Sequence, residues 1–246
     1  MNKSTLETFI KKYNLNGNVE QVKIVVDDAE KKLKTSAITD DKNVLIDVSL
    51  GEFTEMTSAQ IGVYDTGQLK QMLAVLSENI TVKTNTKADK VTSITLGDDT
   101  TEVQYVTADL DIIAPAPALK KLPDFNAEID FSETFISKFI KAKNALSDVE
   151  TFTLTMNKKK KLEMVIGQVG KNNTNKITLD VATKDGKDSV GKAISFSAKY
   201  LKEILTSNND CDSAVLKVSD AGLACISFSK DNFVATYYLV EIKNVD

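Results

Sequence analysis

The sequence contains one pattern twice, about 130 residues apart. Residues 64–73, YDTGQLKQML, align with residues 196–205, FSAKYLKEIL, at an offset of 132 positions. Residues 6–14, LETFIKKYN, align with residues 136–144, ISKFIKAKN, at an offset of 130 positions. Two matches at nearly one spacing indicate an internal duplication. The 246 residues are therefore predicted to form two copies of one domain, each of roughly 120 residues and large enough to bury its own core.

Four segments carry apolar residues at i, i+3, i+4 and i+7, the period of an α-helix. The four apolar sets are Leu6, Phe9, Ile10 and Tyr13; Leu69, Met72, Leu73 and Leu76; Phe135, Ile136, Phe139 and Ala142; and Leu201, Ile204 and Leu205. Ser4 and Ser132 are predicted N-caps, because serine hydroxyls accept hydrogen bonds from the unpaired N–H groups of a first turn.

Most of the remaining sequence alternates apolar and polar residues with period two, which predicts half-buried antiparallel strands joined by short polar turns. The alternating sets are Val44, Ile46 and Val48; Val103 and Tyr105; Phe152, Leu154 and Met156; Ile177, Leu179 and Val181; and Val234, Thr236, Tyr238 and Val240. Each half has a helix, several strands, a second helix directly after a strand, and about three more strands. The predicted fold class is α+β, with antiparallel sheets and two helices on one face in each duplicated domain.

Residues 114–124, APAPALKKLPD, hold all three prolines of the chain and show no periodic pattern. Proline fixes an extended backbone and removes a hydrogen-bond donor, so this segment is predicted to be an interdomain connector. The predicted domains are residues 1–113 and residues 125–246, with the connector at 114–124.

The net charge of −4 argues against a nucleic-acid partner, but the charge is segregated. The helical segments 4–14, 67–78, 132–146 and 198–206 contain eight lysines and four acidic residues, so they carry +4 and the rest of the chain −8. A polylysine helix surface suits the phosphate backbone of DNA, although such lysines also simply solvate exposed helices. The predicted DNA-binding residues are Lys11, Lys12, Lys70, Lys138, Lys141, Lys199 and Lys202.

Composition limits the other classes of function. The chain has no histidine, the commonest general base, and its two cysteines, Cys211 and Cys225, indicate neither a zinc cluster nor a disulfide framework. No metal or cofactor is expected, and the cysteines are predicted to be small buried or half-buried apolar residues. No apolar run is long enough to span a membrane and no leader is evident, so a cytoplasmic protein is expected.

Three motifs have both a functional and a structural interpretation. Asp65-Thr66-Gly67 after IGVY has the form of an aspartic-protease motif, but the repeat places Ser197 opposite Asp65, so Asp65 is predicted to be an N-cap instead. Residues 186–193, GKDSVGKA, nearly match a phosphate-binding loop but are predicted to connect strands, because strand-like residues follow. Lys158 to Lys161 are predicted to form an exposed hairpin turn, with phosphate contact as the alternative.

Three stretches carry a resemblance to a known family. They are IGVYDTGQLKQMLAVL at residues 61–76, FSAKYLKEIL at residues 196–205 and LKVSDAGLACISFSKDNFVATYYLVEI at residues 216–242. With the duplicated domains, the connector and the basic helices, they resemble the DNA sliding clamps, and most closely those of T-even-type bacteriophages. YYLVEI is also similar to the last strand of proliferating cell nuclear antigen, the eukaryotic clamp.

The resemblance implies a ring that has helices on its inner wall and sheet on its outer wall. Six domains close such a ring, so three two-domain chains would form a head-to-tail homotrimer. The family joins an edge strand of one chain's first domain to an edge strand of the next chain's second domain, and the matching segments are residues 102–108 and 176–181.

The implied function is processivity rather than catalysis. The ring would encircle double-stranded DNA without sequence preference and tether the replicative DNA polymerase, in the host cytoplasm if the protein is viral. An ATP-dependent clamp loader would be a further partner, because the sequence holds no nucleotide-binding motif. A dimeric aspartic protease using Asp65 and a two-domain phage structural protein remain the alternative functions.

The resemblance also implies an apolar pocket for short partner peptides, beneath the connector and beside the last strand. The matching residues are Ile38, Val44, Leu119, Leu122, Pro123, Tyr238, Leu239 and Val240. Core packing alone is the alternative for Val44, Tyr238 and Val240, which alternate as the buried residues of a strand would. Leu119 and Leu122 are predicted to be exposed, because no secondary structure in the connector would bury them.

Overall fold

The computed structural model describes residues 1–169, 174–211 and 213–243, and the chain forms two compact units. The first unit consists of Met1–Asp40, Leu45–Pro117 and Ser229–Ala235. The second consists of Asp41–Val44, Ala118–Phe228 and the chain from Thr236 onward. Each unit therefore contains one short segment whose sequence neighbours belong to the other unit.

The first half of the chain contains two helices and seven strands among the described residues. In order these are α1 (Lys3–Asn14), β1 (Val22–Asp27), β2 (Lys32–Ile38), β3 (Val44–Leu50), β4 (Ala59–Val63), α2 (Thr66–Ala74), β5 (Thr81–Lys87), β6 (Lys90–Gly97) and β7 (Glu102–Val106), followed by a 3₁₀ turn at Leu110–Ile112. The strands pair antiparallel in the orders β3-β2-β1-β4 and β5-β6-β7.

The second half repeats this plan. It contains β8 (Ala127–Ser132), α3 (Glu133–Ala145), β9 (Thr151–Met156), β10 (Leu162–Ile166), β11 (Ile177–Asp180), β12 (Ala182–Asp188), β13 (Ile194–Ser197), α4 (Ala198–Ser207), β14 (Ser213–Ser219), β15 (Leu223–Lys230) and β16 (Phe233–Val240). The strand orders are β12-β8-β14-β15-β16 and β11-β10-β9-β13. In each half the second helix follows a strand directly and three strands come after it, which confirms the predicted α+β class.

The two helices of each unit pack against one another and bury their predicted apolar stripes. Phe9, Ile10 and Tyr13 of α1 are fully buried in the first unit. In the second unit, the ring of Phe139 from α3 lies edge-on to Phe152 of β9, with the ring centroids 5.8 Å apart. Such burial of one helix face supplies most of the stability of short helices like these.

The predicted buried face of β16 is wrong by one residue. The alternating pattern predicts that Val234, Thr236, Tyr238 and Val240 lie on that face. The buried residues are instead Ala235, Tyr237 and Leu239, and Val234 and Val240 are 46% and 45% exposed. Both faces of this strand carry apolar residues, so alternation alone could not choose between them. The hydroxyl of Tyr237 accepts a hydrogen bond from Asn208 Nδ2 at 2.8 Å, which satisfies its buried oxygen.

One of the two serine N-caps is confirmed. Ser132 Oγ accepts a hydrogen bond from Phe135 N at 3.3 Å at the start of α3. The Ser4 prediction is wrong, because α1 begins at Lys3 and its N-cap, Asn2, makes no side-chain capping bond. The carboxylate of Glu78 takes that place and accepts from the N–H and the hydroxyl of Ser4, and these hydrogen bonds lower the pKa of Glu78.

No helix in the described part of the chain has the length and apolar composition to cross a membrane. Among the same residues, no three cysteine, aspartate or glutamate side chains are grouped as metal ligands would be.

Candidate DNA interface and partner surface

The helix pair of the second unit presents lysines to solvent. Lys138 and Lys141 on α3 and Lys199 on α4 are exposed, and Lys202 on α4 is half-buried. The apolar stripe of each helix faces inward, so the opposite face of the helix is turned to solvent. The structure therefore places all four predicted lysines of this unit within reach of a ligand.

The helix pair of the first unit carries fewer accessible lysines. Lys70 on α2 is exposed, and Lys11 on α1 is half-buried. Lys12 was predicted to face solvent with Lys11, and this prediction is wrong. Its side chain is 1% exposed, and its ammonium nitrogen lies 5.7 Å from the centroid of the Phe233 ring. A cation over an aromatic face is attracted by the ring quadrupole, so Lys12 contributes to packing within the unit rather than to a DNA surface.

Lys143, another of the eight lysines in the helical segments, is also buried. It is 8% exposed, and its ammonium group donates to the carbonyl oxygen of Ser147 at 2.7 Å, just after the end of α3. Burial and the nearby ammonium group of Lys202 lower the pKa of Lys143 below the ordinary value for lysine. Lys143 therefore helps to terminate α3, where cations satisfy the last carbonyl groups.

All 31 basic residues of the chain are lysines, and arginine is absent. Arginine binds phosphates and bases through a rigid two-pronged fork, whereas lysine is a flexible, strongly hydrated point charge. A lysine surface consequently attracts a polyanion without fixing its position or reading its sequence.

The capping role of Asp65 is confirmed. Its Oδ1 atom accepts a hydrogen bond from Gln68 N at 2.7 Å at the start of α2. The repeat-related Ser197 does the same for α4, accepting from Tyr200 N at 3.2 Å. The two repeats thus have an N-cap at the same position but with different side chains, and the carboxylate of Asp65 caps the N-terminus of α2.

The predicted lysine turn is confirmed as an exposed hairpin turn between β9 and β10. Asn157 Oδ1 accepts from the backbone N–H groups of Lys159 and Lys161 at 2.9 and 3.0 Å. This bonding fixes the turn and leaves all four lysine side chains, Lys158 to Lys161, exposed. The near-match to a phosphate-binding loop, residues 186–193, begins in the last residues of β12 and continues as the connection to β13, without a helix.

The connector, residues 114–124, has no helix or strand, and Leu119 and Leu122 are 43% and 40% exposed. Their predicted exposure is therefore confirmed. Pro123 is half-buried. Two exposed leucines three positions apart on an irregular segment are more typical of a binding surface than of a core.

The other predicted pocket residues divide between core and surface. Val44 and Leu239 are 0% and 1% exposed, so these two are core residues and their predicted direct contact with a peptide is wrong. Ile38 and Tyr238 are half-buried, and Val240 is exposed. Of the predicted pocket residues, Leu119, Leu122 and Val240 are thus exposed, and Ile38, Pro123 and Tyr238 are partly accessible.

Both segments predicted to join chains are sheet edges in their own units. β7 is the last strand of its three-stranded sheet, and β11 is the last strand of its four-stranded sheet. Val106 of β7 is 72% exposed, the highest value among the exposed large apolar residues described. An open sheet edge favours pairing with another strand.

Sequence reasoning missed the role of Tyr200 on α4. Its hydroxyl donates to Asp41 Oδ2 at 2.9 Å, within the second unit, and the ammonium nitrogen of Lys199 lies 5.3 Å from the centroid of its ring. Asp41 is 159 positions away in the sequence, so no local pattern could have indicated the contact. The cysteines lie as predicted, with Cys225 buried and Cys211 half-buried.

Two solved structures are similar to this fold over nearly its whole length. Proliferating cell nuclear antigen from Entamoeba histolytica matches with a TM-score of 0.73 and 16% identity, over 98% of this chain and 96% of that one. The A. fulgidus proliferating cell nuclear antigen bound to the C-terminal region of FEN-1 matches with a TM-score of 0.75 and 16% identity, over 100% of this chain and 98% of that one. No protein-family model and no curated protein sequence matches the chain. Across both of its units, the chain has the fold of the DNA sliding clamps.

Proposed function

We propose that this chain is a DNA sliding clamp that encircles duplex DNA and tethers the replicative DNA polymerase. The observation that carries the proposal is the full-length clamp fold, in which both helix pairs present lysines to solvent. The fold alone is compatible with other functions, since one fold hosts many. The lysines on both helix pairs favour DNA in a chain whose net charge is −4.

The proposed assembly is a head-to-tail homotrimer. Each chain has one open edge at β7 and another at β11, on different units, so the two edges can pair with neighbours repeatedly. Contacts of this heterologous kind close into a ring when the rotation between neighbours fits, and two units per chain fit a three-chain ring. The exposed side chain of Val106 would be buried in each joint.

The chemistry of the lysine surface suits sliding. Phosphate contacts supply affinity that depends on salt and carries no sequence information. Lysines without arginine would attract the backbone while exchanging rapidly between phosphates. This surface has no need of a catalytic group, and the proposed clamp is not an enzyme. Opening of the ring would be the work of an ATP-dependent clamp loader.

The connector is the proposed attachment site for the polymerase. One of the similar structures is a clamp bound to the C-terminal region of FEN-1, so a terminal peptide is the expected kind of ligand here too. Replacing Leu119 and Leu122 with serine should weaken binding of the polymerase tail by about 1–3 kcal/mol, as expected for truncated interface anchors. Because both leucines are exposed, the melting temperature should change little. Wild-type affinity of the double variant in a calorimetric titration would exclude the connector from the site.

The alternative of an Asp65-based protease is disfavoured by the capping bond of Asp65 and by Ser197 at the equivalent position of the other repeat. The alternative of a two-domain phage structural protein has no specific observation in its favour.

Two measurements test the proposed function. Native mass spectrometry at micromolar concentration should give a trimer of about 81 kDa from chains of 26.9 kDa. Clamp assembled on nicked circular DNA should stay bound at high salt and be released when the DNA is linearised, since a closed ring is held by topology and not by affinity. A monomer in the first measurement, or equal retention on circular and linear DNA in the second, would contradict the proposal.

A further inference from the structure

The exposed part of the connector combines apolar and basic residues. Its central sequence is Leu119-Lys120-Lys121-Leu122, and all four side chains are exposed. Leu122 precedes Pro123, a position that disfavours helix and keeps the backbone extended. Lys120 and Lys121 thus lie between the two leucines along an exposed, extended segment.

The positive charge of this segment is not neutralised within the described residues. Neither Lys120 nor Lys121 takes part in an ion pair in this part of the chain. Lys187 adds a third ammonium group at the end of the connector, where it donates to the carbonyl oxygen of Phe125. Asp124 is the single acidic residue of the connector. The connector and its immediate support thus carry a net positive charge, in a chain that is acidic overall.

Two carboxylates that adjoin predicted pocket residues in sequence are already engaged. Glu241, next to Val240, pairs with the ammonium group of Lys192 at 2.9 Å. Asp41, three residues before Val44, accepts from the hydroxyl of Tyr200 at 2.9 Å and from the side chain of Asn43 at 2.8 Å. Lys192 offsets the charge of Glu241, whereas the hydroxyl of Tyr200 and the amide of Asn43 are uncharged and do not offset that of Asp41; within the described chain, neither carboxylate forms an ion pair with Lys120 or Lys121.

We infer that the connector selects acidic partner peptides: segments whose apolar anchors contact Leu119 and Leu122 and whose flanking Asp or Glu residues pair with Lys120 and Lys121. The inference rests on the proposed function, which makes the connector a peptide-binding site, and it adds the chemical class of the peptide. Exposed ion pairs are individually weak, so two of them should favour an acidic peptide over its neutral analogue by roughly 2- to 30-fold. A basic peptide should be rejected by like-charge repulsion, which is how charge supplies specificity.

The test uses a phage-displayed library of random twelve-residue peptides, selected against the immobilised full chain. The wild type should enrich peptides that combine leucine or aromatic residues with two or more acidic residues. In the same selection against the Lys120→Glu/Lys121→Glu variant, the preference for acidic peptides should disappear or change to a preference for basic ones. Lys158→Glu/Lys159→Glu, on the hairpin turn between β9 and β10, makes the same change of net charge at another exposed site and should keep the wild-type preference.

A second measurement quantifies the effect on one selected peptide. At low salt, a fluorescence anisotropy titration of the full chain into this peptide should show roughly 2- to 30-fold weaker binding when the peptide's Asp and Glu residues are replaced by Asn and Gln. The two peptides should converge near 1 M salt, where charges are screened beyond about 3 Å.

The possible outcomes distinguish failure of the inferred acidic selectivity from failure of the proposed peptide-binding site. Peptides that lose binding to Leu119→Ser/Leu122→Ser but show no charge bias would overturn the inference and leave the peptide site standing. Peptides that bind this leucine variant as well as the wild type, or a library that yields no binder at all, would overturn the peptide site itself and the inference with it. An acidic bias that survives Lys120→Glu/Lys121→Glu would assign the selectivity to other residues.

Discussion

Lys11 and Lys12 are neighbours on α1, and replacing each with alanine should have opposite consequences. Lys12 is 1% exposed, whereas Lys11 is half-buried. We expect Lys12→Ala to destabilise the protein without weakening DNA association directly. We expect Lys11→Ala to weaken DNA association and to leave stability within about 0.5 kcal/mol of wild type, as for most surface substitutions.

The magnitude for Lys12 follows from what the truncation removes. Three methylene groups of a buried stem are lost, at about 0.8 kcal/mol each. The ammonium group also leaves the face of the Phe233 ring, which contributes about 0.5–2 kcal/mol. Relief from holding a charge away from water offsets part of this loss. A net destabilisation of about 2–3 kcal/mol remains, and with urea m-values of about 1–3 kcal/mol/M it lowers the denaturation midpoint by roughly 0.7–3 M.

The assay is urea denaturation followed by far-UV circular dichroism, at one fixed protein concentration because dissociation of a trimer would couple to unfolding. Lys12→Met is the matched control, since it removes the charge but keeps most of the stem, and it should therefore cost less than Lys12→Ala. DNA association is measured in parallel as the salt dependence of binding to a duplex. The reasoning would be refuted by a Lys12→Ala protein that is as stable as wild type and loses DNA association as strongly as Lys11→Ala.

Three further changes test other parts of the structure. Replacing the exposed helix lysines with alanine should lower polymerase stimulation on primed circles without dissociating the trimer. The slope of log binding constant against log salt concentration should fall by about 0.9 for each lost phosphate contact. Unchanged stimulation would exclude the basic helices from DNA binding. The residues to change are Lys70, Lys138, Lys141 and Lys199. Asp65→Asn should leave function and stability nearly unchanged, because both residues are strong N-caps. Asp65→Ala should lower the free energy of unfolding by about 1 kcal/mol, measured by thermal denaturation. A proteolytic activity that is lost in Asp65→Asn would favour the protease over the clamp. Val106→Glu should convert the trimer to a monomer in native mass spectrometry. Ile112→Glu changes an exposed apolar residue outside β7 and should leave the trimer intact. A trimer in both variants would show that β7 does not form the subunit interface.

Local sequence patterns were sufficient to predict the repeated order of helices and strands and several individual contacts. The helical period placed Phe9 and Phe139 in their cores, and the repeat alignment put Ser197 opposite Asp65, where both prove to be N-caps. The proline-bearing connector was predicted to expose Leu119 and Leu122, and it does. These features depend on residues within one or two turns of each other, so their spacing in the sequence carries the information.

Contacts between distant elements could not be predicted in this way. The α1 start is satisfied by Glu78, 74 positions from Ser4, and a helix N-terminus does not reveal such a partner. The core face of β16 is chosen by what lies against it, since both of its faces are apolar in sequence.

The duplication, the α+β class, the four helices and their excess of lysine can all be predicted from the sequence, because each depends on composition or on a short periodic pattern. Which of those lysines a ligand can reach depends on contacts between distant elements. A helical wheel separates the apolar stripe from its opposite face, but Lys12 and Lys143 lie beside the stripe, where a ring from β16 or the carbonyl groups after α3 draw their ammonium groups inward. Whether a long, flexible cation at the border of a helix face reaches water or a buried partner depends on what the rest of the fold places within its reach.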